Sequence, residues 1–165
     1  MIDFPLTDRD FEQALRFLAE KMPDANDLPK PTLLHSIRVG VFLYNQSYPI
    51  SICIAGLLHD LVEDSGVTIE EIEVMFGKDV SELVSANTKK DNVSYEEFLK
   101  DCVLSGESAA IVKAADIMDN LSTYRRNNID VGVQNMLRFG KILLEIKPET
   151  YKDKLFEELE KLFEV

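Results

Sequence analysis

The apolar residues of this chain recur almost everywhere at intervals of three and four positions, the spacing of one face of an α-helix. Phe11, Ala14 and Leu18 form the first such stripe, and Thr7 precedes it as a helix N-cap followed by acidic residues. The chain contains no alternating apolar and polar run long enough to indicate a β-strand. The pattern therefore predicts an all-α protein, a single helical domain over residues 1–165.

Prolines, glycines and capping-box sequences divide this pattern into separate helices. The polar segment 23–31, which contains three prolines, is predicted to be a loop. The first predicted helices begin after Thr7, run from Pro31 to about Gln46, and run from Pro49 through His59 to Val62 with an end near Ser65-Gly66. Capping boxes at Thr68 and Ser94 begin two more, the first of which ends at Phe76, and a helix from about Asp79 to Asn87 lies between them. The last predicted helices run from Gly106 to about Arg126, from about Val131 to Ile146 and from about Glu149 to Phe163.

The charge of the chain limits its possible partners. With 30 acidic against 18 basic residues, the net charge is −12, which argues against a broad interface with duplex nucleic acid. A phosphorylated small molecule is still possible, because a bound cation can reverse the potential in one cleft. Two isolated cysteines, no targeting segment and no apolar run of ~20 residues favour a soluble cytoplasmic protein without a membrane partner.

Both histidines of the chain lie in apolar, helix-like segments. The first histidine is His35. The second, His59, is followed directly by Asp60. Asp116 lies in an equally apolar segment further along the chain. A carboxylate among apolar residues needs a partner, and a cation supplies one. These four residues are therefore predicted to bind one divalent metal ion. Mixed imidazole and carboxylate ligands suit Mn, Fe, Co, Ni or Zn better than Ca, and four protein ligands beside a water favour Mn or Fe.

Glu63 and Asp64 follow the His-Asp pair by one helical turn. Glu63 lies four residues after His59 and Asp64 four after Asp60, so both are predicted to lie over the metal-facing surface and to act in catalysis. The alternative is that they are solvated acids at a helix C-terminus. The helix dipole disfavours acids there, so a functional role would explain the position.

Four stretches of the sequence resemble the HD-domain phosphohydrolase superfamily, and more closely its RelA/SpoT hydrolase branch with the small stand-alone alarmone hydrolases. They are residues 55–64, 68–80, 83–89 and 112–120, within a motif core of about 30–125, and the helices of residues 131–165 complete the chain. The resemblance implies a helical bundle of the HD type. It implies His35, His59, Asp60 and Asp116 as ligands to one ion, usually Mn²⁺, and Glu63 and Asp64 as the acids that activate the attacking water.

The resemblance also implies the substrate. It implies a nucleotide contact by Asn120, and hydrolysis of the 3′-diphosphate of guanosine tetraphosphate with release of pyrophosphate. Lys89, which matches the family's Thr-Lys, and Arg38 are candidates for holding phosphates. The chain lacks the basic pair that usually precedes the first ligand histidine, and this favours a second interpretation, a nucleoside monophosphate phosphatase. A third is a non-catalytic nucleotide sensor. The apolar stripe of the last two helices indicates core packing or a dimer face.

Overall fold

The computed structural model describes residues 5–23 and 30–163 of the chain, and these residues form helices joined by turns, with no strand among them. This confirms the all-α prediction. In chain order the helices are α1 (Asp8–Lys21), α2 (Thr32–Asn45), α3 (Ile50–Leu58), α4 (Leu61–Asp64), α5 (Ile69–Phe76), α6 (Lys78–Asn87), α7 (Tyr95–Leu104), α8 (Glu107–Arg126), α9 (Asp130–Ile146) and α10 (Lys154–Lys161). The predicted loop at 23–31 falls largely outside the described residues.

The chain divides into two compact units, Met1–Ser85 and Ala86–Val165, and the boundary lies within α6. In the first unit α1 and α2 pack on α3, and in the second α8 packs against α7, α9 and α10. Each unit has its own fully buried leucines and isoleucines, such as Leu57 in the first and Leu121 in the second. A single domain over the whole chain stays a prediction.

Local capping fixes several of the helix starts. The Thr68 hydroxyl accepts a hydrogen bond from the Glu71 N–H at 3.2 Å, and the Glu71 carboxylate accepts one from the Thr68 N–H at 2.8 Å. Ser94 and Glu97 form the same reciprocal pair. Each pair satisfies two N–H groups that the first turn leaves without helical partners. Both predicted capping boxes are confirmed.

The predicted continuous helix from Pro49 to Val62 is wrong, because α3 ends at Leu58 and α4 begins at Leu61. His59 and Asp60 form a turn between the two helices, although both keep right-handed helical backbone angles. The His59 side chain explains the interruption. Its Nδ1 lies 2.9 Å from the Gly56 carbonyl oxygen, the acceptor that a continued helix would offer to the Asp60 N–H.

The start of the last helix also differs from the prediction. The helix α10 begins at Lys154 instead of Glu149, because the Asp153 carboxylate accepts a hydrogen bond from the Leu155 N–H at 2.9 Å. Asp153 is therefore the N-cap. Residues 149–153 form a turn and an irregular segment after Pro148.

Two glycines let α2 and α3 approach closely. A Cβ atom on Gly56 would lie 2.6 Å from the Leu43 side chain and 3.4 Å from the Gly40 Cα. A Cβ on Gly40 would in turn collide with Leu57. The absence of side chains at these positions brings the backbones of the two helices together, and α2 and the end of α3 carry the two histidines.

Candidate metal centre

The first unit brings three of the predicted ligands together. The Nε2 atoms of His35 and His59 lie 3.3 Å apart. The Asp60 carboxylate faces both rings, with Oδ1 3.1 Å from the His59 Nε2 and Oδ2 3.5 Å from the His35 Nε2. Both imidazoles are fully buried, and the Asp60 side chain is 20% exposed. Two imidazoles and one carboxylate, from α2 and from the turn after α3, thus converge on one point.

The Gly56 carbonyl fixes the orientation of the His59 ring. A carbonyl oxygen only accepts hydrogen bonds, so the His59 Nδ1 carries the proton in this 2.9 Å contact. The lone pair of the ring is then on Nε2, which points towards His35 and Asp60. This is the arrangement in which a histidine binds a metal, because the hydrogen bond on one ring nitrogen sets which nitrogen is available as a ligand.

The spacing of these atoms fits a shared metal ion. Metal–nitrogen and metal–oxygen bonds of about 2.1 Å, at octahedral to tetrahedral angles, separate neighbouring ligand atoms by about 3.0–3.4 Å. The separations of 3.1 and 3.3 Å fall within this range, and the third, 3.5 Å, lies just above it. Two imidazoles and one carboxylate are also a suitable set of donors for a divalent transition metal. His35, His59 and Asp60 could therefore hold an ion together.

Asp116 lies on α8 in the second unit, where it forms a buried polar cluster of its own. Its Oδ2 accepts a hydrogen bond from the Lys113 Nζ at 3.0 Å, and its Oδ1 accepts one from the Asn120 Nδ2 at 2.6 Å. All three residues are nearly inaccessible to solvent. Lys113 also lies over the ring of Phe98, with its Nζ 4.7 Å from the ring centroid. Asp116 as a fourth metal ligand stays a prediction.

Glu63 and Asp64 form the end of the short helix α4. The Asp64 N–H donates to the Asp60 carbonyl at 3.0 Å, so Asp64 lies one helical turn after Asp60 in spite of the turn at His59. Glu63 is exposed, whereas Asp64 is half-buried. Burial raises the pKa of the Asp64 carboxyl and the Asp60 carboxylate adds to this rise, while Lys30 and the two imidazoles oppose it. Their catalytic role stays a prediction.

The predicted phosphate contacts lie in different settings. Arg38 is half-buried on α2, one turn after His35, and Lys89 follows α6 with its Nζ donating to the Lys90 carbonyl at 3.3 Å. Asn120 is engaged with Asp116, and its Oδ1 is buried without a hydrogen-bond partner among the described residues. The three substrate contacts stay predictions.

Two basic residues have roles that the sequence did not indicate. Lys30 places its Nζ 3.4 Å from the Asp60 Oδ2, at the centre itself. Lys113 neutralises Asp116 inside the protein. Hydrophobic periodicity contains no signal for Lys30, which precedes α2. For Lys113 the signal was its spacing of three residues from Asp116 within an apolar helix.

The all-α fold and the two buried imidazoles beside a carboxylate place this protein in the class of helical proteins with a candidate metal centre. The family model described as "HD domain" matches residues 14–146, most of the chain. The chain belongs to the HD domain family.

Within the HD domain family, several relatives of this chain are named as hydrolases of one nucleotide. A guanosine-3′,5′-bis(diphosphate) 3′-pyrophosphohydrolase of Aquifex aeolicus is 29% identical over 128 residues, which cover 73% of this chain and 18% of that protein. A probable enzyme of the same name from Mycoplasma genitalium is 31% identical over 111 residues, 57% of this chain and 15% of the relative. The chain thus spans less than a fifth of the length of these relatives. The predicted resemblance to the RelA/SpoT hydrolase branch is confirmed.

Solved structures agree on the fold. A metazoan ortholog of SpoT, described as hydrolysing ppGpp, superposes with a TM-score of 0.73 at 23% identity and covers 98% of this chain and 97% of its own. A protein of Listeria monocytogenes EGD-e has a TM-score of 0.65 at 22% identity, covering 79% and 93%. Among the described residues, no helix is both long and apolar enough to cross a membrane.

Proposed function

We propose that this protein is a metal-dependent nucleotide phosphohydrolase that removes the 3′-diphosphate of guanosine 3′,5′-bis(diphosphate). The convergence of His35, His59 and Asp60 is the observation that carries the proposal, because two buried imidazoles held 3.3 Å apart beside a carboxylate suit a divalent ion. Relatives named as 3′-pyrophosphohydrolases support the substrate.

The ligand set of the proposal is His35, His59, Asp60 and Asp116, with Asp116 taken from the family resemblance. Mn²⁺ is the proposed ion, because mixed nitrogen and oxygen donors suit it and the resemblance implies it. When bound, a divalent ion supplies Lewis acidity at a phosphoryl oxygen and lowers the pKa of water. The Gly56 carbonyl keeps the His59 ring turned so that Nε2 serves as the ligand.

Glu63 and Asp64 are the proposed catalytic acids. Asp64 lies one turn after the ligand Asp60 through the backbone hydrogen bond of α4, and Glu63 is its exposed neighbour on the same short helix. Their carboxylates orient the attacking water and accept its proton. The proposed nucleotide contacts are Asn120, Lys89 and Arg38, with Asn120 presenting an amide oxygen that lacks a partner among the described residues.

The Glu63→Gln variant tests the catalytic step. We expect it to bind Mn²⁺ with the affinity of the unchanged protein, because Glu63 is not among the proposed ligands. Its kcat should fall by about 10²–10⁴-fold, the usual contribution of a positioned general base. Glu73→Gln, which neutralises another exposed glutamate, on α5, is the matched control and should leave kcat unchanged. Normal turnover by Glu63→Gln would show that this residue has no catalytic role.

The products separate the proposed activity from its main alternative. With Mn²⁺ present, guanosine 3′,5′-bis(diphosphate) should release pyrophosphate, and nucleoside monophosphates should release little orthophosphate. The absence of the family's basic pair before His35 favours the opposite outcome, a nucleoside monophosphate phosphatase. Metal binding without turnover of either substrate would identify a nucleotide sensor instead and contradict the proposed activity.

A further inference from the structure

Lys30 brings a positive charge to the edge of the candidate metal centre. Its Nζ lies 3.4 Å from the Asp60 Oδ2, and the same oxygen lies 3.5 Å from the His35 Nε2. The Lys30 side chain is only 15% exposed. Lysine is rarely enclosed to this degree unless its ammonium is paired. The ammonium thus belongs to the surroundings of the metal ligands.

Lys30 directly precedes the first turn of α2, which carries His35. Pro31 follows it with a restricted φ of −71°, and the Pro31 carbonyl accepts the His35 N–H at 3.0 Å. The backbone on which Lys30 is mounted therefore continues directly into the turn that presents His35.

We propose, on the basis of the function proposed above, that Lys30 is a substrate-contacting residue whose ammonium binds a phosphate oxygen of the nucleotide. A divalent ion that takes Asp60 as a ligand competes with the ammonium for the same carboxylate, and two cations this close repel each other. The ammonium then pairs less closely with Asp60 and is available to a second anion besides the nearby Asp64 carboxylate. The substrate supplies this anion, since a phosphate oxygen that reaches the metal ion is within hydrogen-bonding reach of a lysine side chain beside the ligand Asp60.

The acidic character of the chain makes a positive charge near the metal centre important for binding a polyphosphate. The protein has a net charge of −12, and Asp60, Glu63 and Asp64 are all acidic. Two ligand carboxylates balance the charge of a divalent ion, so the ion alone leaves little positive charge for a polyphosphate. Lys113 is committed to the buried Asp116, so Lys30 joins Lys89 and Arg38 as the basic residues proposed to contact phosphate.

The first experiment measures binding without turnover. In the Glu63→Gln background with saturating Mn²⁺, calorimetry gives the affinities for Mn²⁺ and for inorganic pyrophosphate. We expect Lys30→Met to bind Mn²⁺ at least as tightly as the parent, because a competing cation is removed, and to bind pyrophosphate at least 10-fold more weakly. Lys30→Arg should recover much of the pyrophosphate affinity. Lys78→Met, which removes an exposed lysine that pairs with Glu82, is the matched control and should change neither affinity.

The second experiment measures turnover of guanosine 3′,5′-bis(diphosphate). Lys30→Met with Glu63 intact should raise KM by at least 10-fold and change kcat much less. Lys30→Gln, which retains a polar side chain, repeats both measurements if the methionine variant does not fold. Pyrophosphate affinity equal to that of the parent at saturating Mn²⁺ would overturn the role of Lys30, and so would a loss confined to Mn²⁺ affinity. A parent protein that binds pyrophosphate through Lys30 but hydrolyses no nucleotide contradicts the proposed function alone.

Discussion

At the scale of single residues, the pairing of Lys113 with Asp116 has the clearest energetic consequence. Both side chains are at most 5% exposed, and the ammonium lies 3.0 Å from the carboxylate. Removing one member of such a pair leaves the other charge buried without it, which costs about 3–5 kcal/mol. We therefore expect Lys113→Met to lower the free energy of unfolding by roughly 3 kcal/mol, measured by urea denaturation with a chelator present.

A double-mutant cycle isolates the charge pair from the packing of Lys113 on Phe98. Methionine keeps an unbranched side chain against the ring, so the cavity contribution is small. Lys113→Met combined with Asp116→Asn removes both charges, and it should lose less stability than the two single losses added together. Strict additivity would show that the two groups do not stabilise each other.

The sequence predicted which residue types would be buried at these positions, but not which pairs they form. An acidic residue in an apolar helix has to find a partner, so a burial of Asp116 with a cation was predictable. Whether this cation is a metal ion or Lys113 depends on side-chain directions that residue spacing leaves open. Lys30 illustrates the same limit, because its contact with Asp60 joins positions 30 residues apart.

At the scale of helices, the close contact of α2 with α3 sets the distance between the two imidazoles. Gly56→Ala places a methyl group 2.6 Å from the Leu43 side chain and 3.4 Å from the Gly40 Cα. We expect the helices to separate and the Mn²⁺ affinity to fall by at least 10-fold. The free energy of unfolding should fall by only about 0–2 kcal/mol, because about 1–3 kcal/mol of overpacking is offset by about 1 kcal/mol of helix propensity.

Gly140→Ala is the matched control for this prediction. Its added methyl group would lie 2.6 Å from the Phe163 ring, within the second unit and on a helix that carries no proposed ligand. It should therefore alter thermal stability and leave the Mn²⁺ affinity unchanged. Equal Mn²⁺ affinities in calorimetry for Gly56→Ala and the unchanged protein would show that this helix contact does not set the ligand spacing.

Helix starts were largely predictable from the sequence, because capping acts within four residues. Thr68 and Ser94 illustrate this, since each bonds to a glutamate three positions later. The break between α3 and α4 was not predictable from periodicity. It depends on the His59 ring turning back to the Gly56 carbonyl, and the apolar pattern continues through this point undisturbed.

At the scale of the whole molecule, a bound ion should stabilise the folded chain. Binding that is specific to the folded state adds about 2.7 kcal/mol when the free ion is at 100 times its Kd. For a chain of this size, each kcal/mol raises Tm by about 2–4 °C, so Mn²⁺ should raise Tm by roughly 5–10 °C over the chelated protein. Calcium, which prefers oxygen ligands, should give a smaller shift than Mn²⁺ because two of the donors are imidazoles.

Measuring the rise in Tm with Mn²⁺ in variants of the proposed metal ligands tests each ligand separately. His35→Gln removes one of the two buried imidazoles, so differential scanning calorimetry should find its Tm nearly the same with Mn²⁺ and with chelator. Asp116→Asn removes the ligand proposed from the family resemblance and should reduce the Mn²⁺ shift by more than half. If Asp116→Asn keeps the full rise in Tm with Mn²⁺, Asp116 is not a ligand. If His35→Gln keeps it, the metal centre itself is contradicted, because the convergence of His35 with His59 and Asp60 is its structural basis.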